Sequence, residues 1–344
     1  MNIDINNDNN SLRVIAQNGD CFFVTSNPNA TIDNIFTNGF VVTNDGKIIV
    51  ENVSIGTLTR NEPWHRLDGK YDDYIKPKNS DYIKNALTGA VVGDACSLQY
   101  KSLSREKIAN LLSNCEILPD TNSDFVSDNN MSLIIATAKS VMPIDGIVYN
   151  PKVNNRNELL IKVLPIAIYC ITKELNNLDI YQIISKNVSI DYANEIEIMA
   201  CYMYIIFMKE AIRTKNSLLA LKKIIYEDYT PFFSKETIAV FKKINNPNFN
   251  LNFNDIGETK SIVEILEGVI YSLFIGNNYR EVIEICIKLG GDTNIRACIA
   301  GSLAGVIYGY DDIPKEWLND GNIKLKTKIL LDVIKEQKQV GKIK

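Results

Sequence analysis

Residues 289–310, LGGDTNIRACIAGSLAGVIYGY, constrain this chain more than any other stretch. A Gly-Gly-Asp turn feeds directly into a segment in which Ala297, Ala300, Gly301, Ala304 and Gly305 recur at helical spacing. Small residues on one helix let a neighbouring backbone approach closely, so the stretch predicts a helix in the middle of a bundle. Gly290 and Gly291 permit backbone angles that other residues resist. Asp292 falls at the helix start, where a carboxylate either caps free N–H groups or holds a cation. The capping preference alone favours the cap.

The 344 residues suffice for one large domain or two smaller ones, and 46% hydrophobic with 23% charged residues describes a chain able to bury a sizeable core. A net charge of −4 gives no electrostatic reason to expect nucleic-acid binding. No apolar run reaches the roughly 18–20 residues needed to cross a bilayer. The opening MNIDINNDNN is polar and does not read as a signal peptide. Seven scattered cysteines without a CxxC pair fit a reducing, cytoplasmic compartment better than disulfides or zinc. The single histidine, His65, leaves little room for His-based metal sites or Ser-His-Asp chemistry.

Taken in order, residues 1–10 read as a disordered tail and 11–60 as a small β-rich module. Within that module Asn44-Asp45-Gly46 lies between β-branched runs, a hairpin signal because Asp-Gly tolerates positive φ. Residues 61–81 form a charged, aromatic linker containing Trp64 and His65. From 82 to 344 the chain reads as almost all helix, with YIKNALTGAVVGDACSLQY, LLIKVLPIAIYCITKEL and EIEIMACYMYIIFMKEAI carrying apolar residues at helical spacing. The stretch 231–256 is more polar and reads as a loop with a short helix. The predicted fold class is therefore mainly α: a compact helical bundle preceded by a β-rich module.

Four segments in order resemble the ADP-ribosylglycohydrolase family across residues 82–325. They are GAVVGDA (89–95), FVSDNNMSLIIA (125–136), NELLIKVLPIAIY (157–169) and the long run from the Glu264 segment through the Gly-Gly-Asp turn to Ile313-Pro314 and Trp317. The resemblance implies an all-α domain with two Mg²⁺ ions held between the first helix, a Thr-Asp-Asp loop and a Gly-Asp-x-Asp-Thr loop. Those ions would orient ribose hydroxyls during hydrolysis of the bond linking ADP-ribose to its acceptor. Mg²⁺ favours about six oxygen ligands, several of them carboxylates.

Measured against that pattern, the chain loses ligands. The Thr-Asp-Asp loop falls on Val126-Ser127-Asp128, which retains one carboxylate. The second loop falls on Asp292-Thr293-Asn294-Ile295, which also retains one. A family glutamate falls on Lys101, whose charge opposes metal binding. The resemblance leaves Asp128 and Asp292 as residual metal ligands and Asp94, Asp128 and Asp292 as candidate catalytic groups. Gly93, Asn157, Arg156, Gly290 and Gly291 would contact substrate. The glycine-rich turn that the family sets near a diphosphate is replaced by residues 153–158, with Glu158 in place of a glycine. The expected arrangement places Lys101 as a salt-bridge substitute between Asp128 and Asp292.

The reading that follows is a catalytically degenerate family member with no cofactor, acting by binding. Its partner would be a protein held through residues 1–80 and the former active-site face, as an immunity-type protein against an ADP-ribosylating toxin would do. The alternatives are a hydrolase with one weak Mg²⁺ and a non-catalytic ADP-ribose sensor. Neither nucleic acid nor membrane is an expected partner.

Overall fold

The computed structural model describes residues 81–340, apart from 114, 121–128, 142–151, 189–192 and 247–250, together with strand residues 5–6, 11–13, 41–42 and 47–49. The chain divides into two units, Met1–Lys78 and Asn79–Lys344. In the first unit, β1 (Ile5–Asn6), β2 (Ser11–Arg13), β3 (Val41–Val42) and β4 (Lys47–Ile49) form an antiparallel sheet in the order β1-β2-β4-β3. β3 and β4 pair Val41 with Ile49 and Val42 with Ile48, on either side of the Asn-Asp-Gly sequence. β1 lies within the segment expected to be a tail. The rest of the expected β-rich module, and the linker with Trp64 and His65, fall outside the described residues.

In the second unit every described element of regular structure is helical. α1 (Tyr82–Ser97) starts where Asp81 accepts a hydrogen bond from the Lys84 N–H at 3.1 Å, the cap its side chain is suited to make. It is followed by α2 (Arg105–Leu112), α3 (Asn129–Val141), α4 (Leu159–Thr172), α5 (Asn177–Val188) and α6 (Glu195–Thr214). Then come α7 (Ser217–Ile225), α8 (Lys235–Val240), α9 (Ile262–Ile275), α10 (Tyr279–Lys288) and α11 (Thr293–Tyr308). α12 (Lys315–Leu318) and α13 (Gly321–Val340) close the chain. The polar stretch 231–256 carries the short α8 and a single turn at Phe253–Asp255, as its composition predicts.

The unit is built around α1 and α11, and the small-residue pattern explains why. Every residue of α11 from Thr293 to Ile307 is buried, as is every residue of α1 from Asn85 to Ser97. A helix buried on all sides needs neighbours on all sides, so α11 has no polar stripe to orient it and takes its place by shape. The two helices run antiparallel with their backbones touching. A Cβ added at Gly89 would lie 2.9 Å from the Gly301 carbonyl carbon and 3.3 Å from the Gly305 Cα, and one at Gly93 would lie 2.9 Å from the Ala297 carbonyl carbon. Two polar groups at the crossing are paired with carbonyls of α1: Tyr279 Oη donates to the Gly89 carbonyl at 2.6 Å and Thr293 Oγ1 to the Ser97 carbonyl at 3.2 Å. α6 completes the core beside α11, where the Tyr204 and Ser302 hydroxyls share a hydrogen bond of 2.8 Å. Trp317, fully buried, stacks edge-on against Tyr279 at 6.4 Å and fixes the C-terminal segment to the core.

Candidate functional site

The site gathers at the N-terminal end of α11, where the Gly-Gly-Asp turn enters the core. Gly290 and Gly291 both have φ of +70°, in the left-handed region where a Cβ is strained, so the glycine pair is required by the turn itself. Gly291 forms an antiparallel bridge with Leu103: its N–H donates to the Leu103 carbonyl at 2.9 Å, and Ser102 N–H donates to the Gly291 carbonyl at 2.9 Å. The segment after α1 is therefore held beside the turn.

Asp292 occupies the cap position of α11, yet its side chain makes no capping bond. Its carboxylate, 4% exposed, instead accepts a hydrogen bond from the Asn157 amide nitrogen at the start of α4. Two residues far apart in sequence and both expected at the site are thus in direct contact. The cap expected from preference alone is not made: the Asp292 carboxylate is turned to Asn157, and of the first amides of α11 Thr293 N–H donates to the Gly291 carbonyl at 2.8 Å. Asn294 is 4% exposed, and its side-chain oxygen has no hydrogen-bond partner among the described residues; the Asn157 side-chain oxygen is in the same position. Ile295 is buried.

Asp94, also buried, accepts a hydrogen bond of 2.6 Å from the Asn130 amide at the start of α3. Gly93 serves the α1–α11 contact, where it faces Ala297. Asp128, Val126 and Ser127 fall outside the described residues. Lys101 is exposed, and among the described residues no ion pair joins it to Asp292. It follows a single turn of 3-10 helix (Leu98–Tyr100) that carries the backbone to the surface, while Asp292 is directed inward.

The turn before α4 is occupied by its own carboxylate. Glu158, buried, accepts from the Asn154 N–H at 2.7 Å and the Asn155 N–H at 3.4 Å, and from the Asn155 side-chain amide at 3.3 Å. Backbone amides of such a turn form a nest suited to an external anion. Here Glu158 fills it. Arg156 does not compensate Glu158: its guanidinium is 3.3 Å from Glu197, which itself caps α6.

The described donors do not fit a pair of divalent ions. The Gly-Asp turn supplies one carboxylate, the neutral amide oxygen of Asn294, a Thr293 hydroxyl already bonded to the Ser97 carbonyl and the side chain of Ile295, with the neutral amide of Asn157 beside them, at a helix N-terminus whose dipole opposes a cation. Among the described residues no three acidic, cysteine or histidine side chains form a metal-binding group. Arg296, one turn into α11 and fully buried, adds a further positive charge within electrostatic reach of Asp292. Desolvation holds its guanidinium below the usual arginine range. Nothing local in the sequence marks Asn130, whereas Arg296 is marked by being a charged residue inside a stretch of small apolar ones.

Comparison with known proteins agrees with this architecture. Residues 136–336 match the family model for ADP-ribosylglycohydrolase, more than half of the chain. Over 68 residues the chain is 32% identical to the ADP-ribosyl-[dinitrogen reductase] glycohydrolase of Rhodospirillum rubrum, covering 20% of this chain and 23% of that protein. Over 66 residues it is 30% identical to the ADP-ribosylarginine hydrolase Tri1 of Serratia proteamaculans, covering 19% and 18%. Over 41 residues it is 49% identical to the ADP-ribosylhydrolase ARH3 of Gallus gallus, covering 12% and 11%. The matched segments thus span less than a quarter of each relative. A solved structure titled as an ADP-ribosylglycohydrolase-related protein complex superposes with a TM-score of 0.57 at 15% identity, covering 75% of this chain and 98% of that one, which speaks for the fold alone. With the buried α1–α11 pair, the Gly-Gly-Asp turn between α10 and α11 and a family match across more than half its length, the chain belongs to the ADP-ribosylglycohydrolase family.

Proposed function

We propose that this protein is a catalytically degenerate ADP-ribosylglycohydrolase-fold protein that acts by binding a protein partner rather than by hydrolysis. The observation that carries the reading is the donor set of the Gly-Asp turn. Asp292 is its one carboxylate, engaged by the Asn157 amide, and the next two ligand positions hold Asn294 and Ile295. A reaction that relies on two ions to orient ribose hydroxyls lacks the charges that would hold them. The central helix pair needs no ion to hold it, because α1 and α11 pack through small and apolar residues and are joined by hydroxyl-to-carbonyl hydrogen bonds. Residues 1–80 are the proposed grip on the partner, an immunity-type role being the specific form suggested, within the cytoplasm.

The second reading, a hydrolase with one weak Mg²⁺ on Asp292 and Asp128, is favoured by the partnerless side-chain oxygen of Asn157, whose amide nitrogen bonds the Asp292 carboxylate, and by that of Asn294 two residues along the turn. An ADP-ribose sensor is disfavoured because Glu158 already occupies the amides of its turn.

Titration calorimetry with Mg²⁺ and ADP-ribose, followed by an assay for ADP-ribose release from a modified arginine peptide, tests these readings. The expected result is no saturable Mg²⁺ binding in the low millimolar range and no release above the level of an Asp292→Ala variant. Turnover that depends on Mg²⁺ and is lost in Asp292→Ala would establish the hydrolase instead.

A further inference from the structure

Two buried or half-buried arginines meet beneath the Gly-Gly-Asp turn, and both bond to its backbone. Arg105, at the start of α2, donates from Nε to the Leu289 carbonyl at 3.0 Å and from Nη2 to the Ile256 carbonyl. Arg296, in α11, donates from Nη1 to the Gly290 carbonyl at 2.6 Å and from Nη2 to the Gly257 carbonyl at 3.1 Å. Each guanidinium therefore bridges the same two segments, and together they take consecutive carbonyls from both: 256 and 257 on one side, 289 and 290 on the other. A planar guanidinium with donors in a fixed fork is suited to this, whereas an ammonium is not.

The surroundings are shaped to the pair. Arg105 lies over the Phe253 ring at 4.9 Å, its Nε is 3.7 Å from Glu258, and the Glu258 carboxylate accepts from the Arg105 backbone N–H at 2.9 Å. Arg296 lies directly against Gly268 of α9. A Cβ at that glycine would come 2.5 Å from Nε and 2.8 Å from Cδ. Gly268 is thus the space the Arg296 side chain uses. The cost of burying this cation beside the like charge of Arg105, with its Nε unpartnered among the described residues, is offset in part by two carbonyl acceptors and by the charges of Glu264 and Asp292.

We infer that Arg105 and Arg296 act as a paired staple that holds the Gly-Gly-Asp turn, and with it Asp292, in place without a divalent ion. They are positioning residues: they act through the backbone of the turn. The inference rests on the metal-free reading of the site proposed above. It explains how a turn with two left-handed glycines and a single carboxylate is held, since four carbonyl dipoles are fixed by side chains of the chain itself.

Hydrogen exchange followed by mass spectrometry on the full chain tests it, using the peptide spanning 289–296 and reference peptides in α6. In the wild type, protection of 289–296 is expected to be the same in EDTA and in 5 mM Mg²⁺. Gly268→Ala displaces the Arg296 guanidinium from outside the turn while strengthening α9 as a helix. It is expected to raise exchange in 289–296 roughly tenfold or more, with α6 unchanged. Arg105→Met, at a partly exposed position, is expected to do the same and guards against misfolding of a core variant; Arg105→Lys restores little, because it cannot bridge both carbonyls. Two results overturn the inference: Mg²⁺-dependent protection in the wild type, or variants whose turn stays as protected as before or loosens only together with α6. Mg²⁺-dependent release of ADP-ribose is a separate readout, so failure of the proposed function and failure of the staple are told apart.

Discussion

Replacing Gly301 with alanine sets two known effects against each other. In an exposed helix the substitution stabilises, by about 1 kcal/mol from helix propensity. At Gly301 the new methyl would fall against the Gly89 carbonyl of α1, 3.1 Å from its carbon and 3.0 Å from Tyr279 Oη. The obstacle is backbone rather than the end of a flexible side chain, so α1 and α11 must move apart along a contact where both are buried. Overpacking of a core costs roughly 1–3 kcal/mol where side chains can adjust. With backbone opposing backbone the upper end applies, and the hydrogen bond from Tyr279 to Gly89 is disturbed as well. After the propensity gain the net loss is about 2 kcal/mol, which corresponds to a fall in Tm of about 2–4 °C per kcal/mol for a domain of this size. Gly321→Ala is the matched control: nothing lies within 4 Å of a Cβ there, and it stands at the start of α13, so it should be neutral or stabilising by a few tenths of a kcal/mol. Urea unfolding with an unchanged m value measures both. A Gly301→Ala variant as stable as the wild type would refute the argument that close backbone approach positions these helices. So would a Gly321→Ala variant that loses as much.

Two other predictions address charge. Burial pushes the Lys215 ammonium, which donates to the Val306 carbonyl at 2.9 Å, down to about 8. The unfolded chain then binds this proton more tightly between about pH 8 and the ordinary lysine value near 10.4, so the contribution of Lys215 to stability rises with pH across that window. Lys215→Met should remove that slope from urea midpoints measured between pH 7.5 and 9.5. Asn157→Asp would place a second carboxylate against Asp292 in a buried site, so the pair should retain a proton at pH values where the unfolded chain has none. Stability of this variant should be near that of the wild type below pH 4 and fall by roughly 1–3 kcal/mol as pH rises to 7. It should also gain Mg²⁺ affinity detectable by calorimetry; a variant indifferent to both pH and Mg²⁺ would show that the two side chains are not confronted as described.

The helical character of the described residues between 82 and 340, the central place of the stretch 289–310 and the need for glycine at 290 and 291 were legible in the sequence. Each depends on a local property, namely periodicity, residue size or permitted φ, that a chain carries wherever it folds. The fate of each remaining polar side chain was not legible. Asp292 looks like a helix cap by preference and is instead held by Asn157, 135 residues earlier. Glu158 reads as a charge that would repel an anion, yet it fills its own turn's amides. Arg296 looks out of place among small apolar residues until Gly268, on another helix, is seen to make room for it. The sequence alone determined which helices form and how closely the central pair can approach, because those follow from steric properties of neighbouring residues. Only the tertiary structure decided which donor meets which acceptor at the Gly-Gly-Asp turn, because buried polar groups must find partners and those partners come from α2, α4 and the segment before α9.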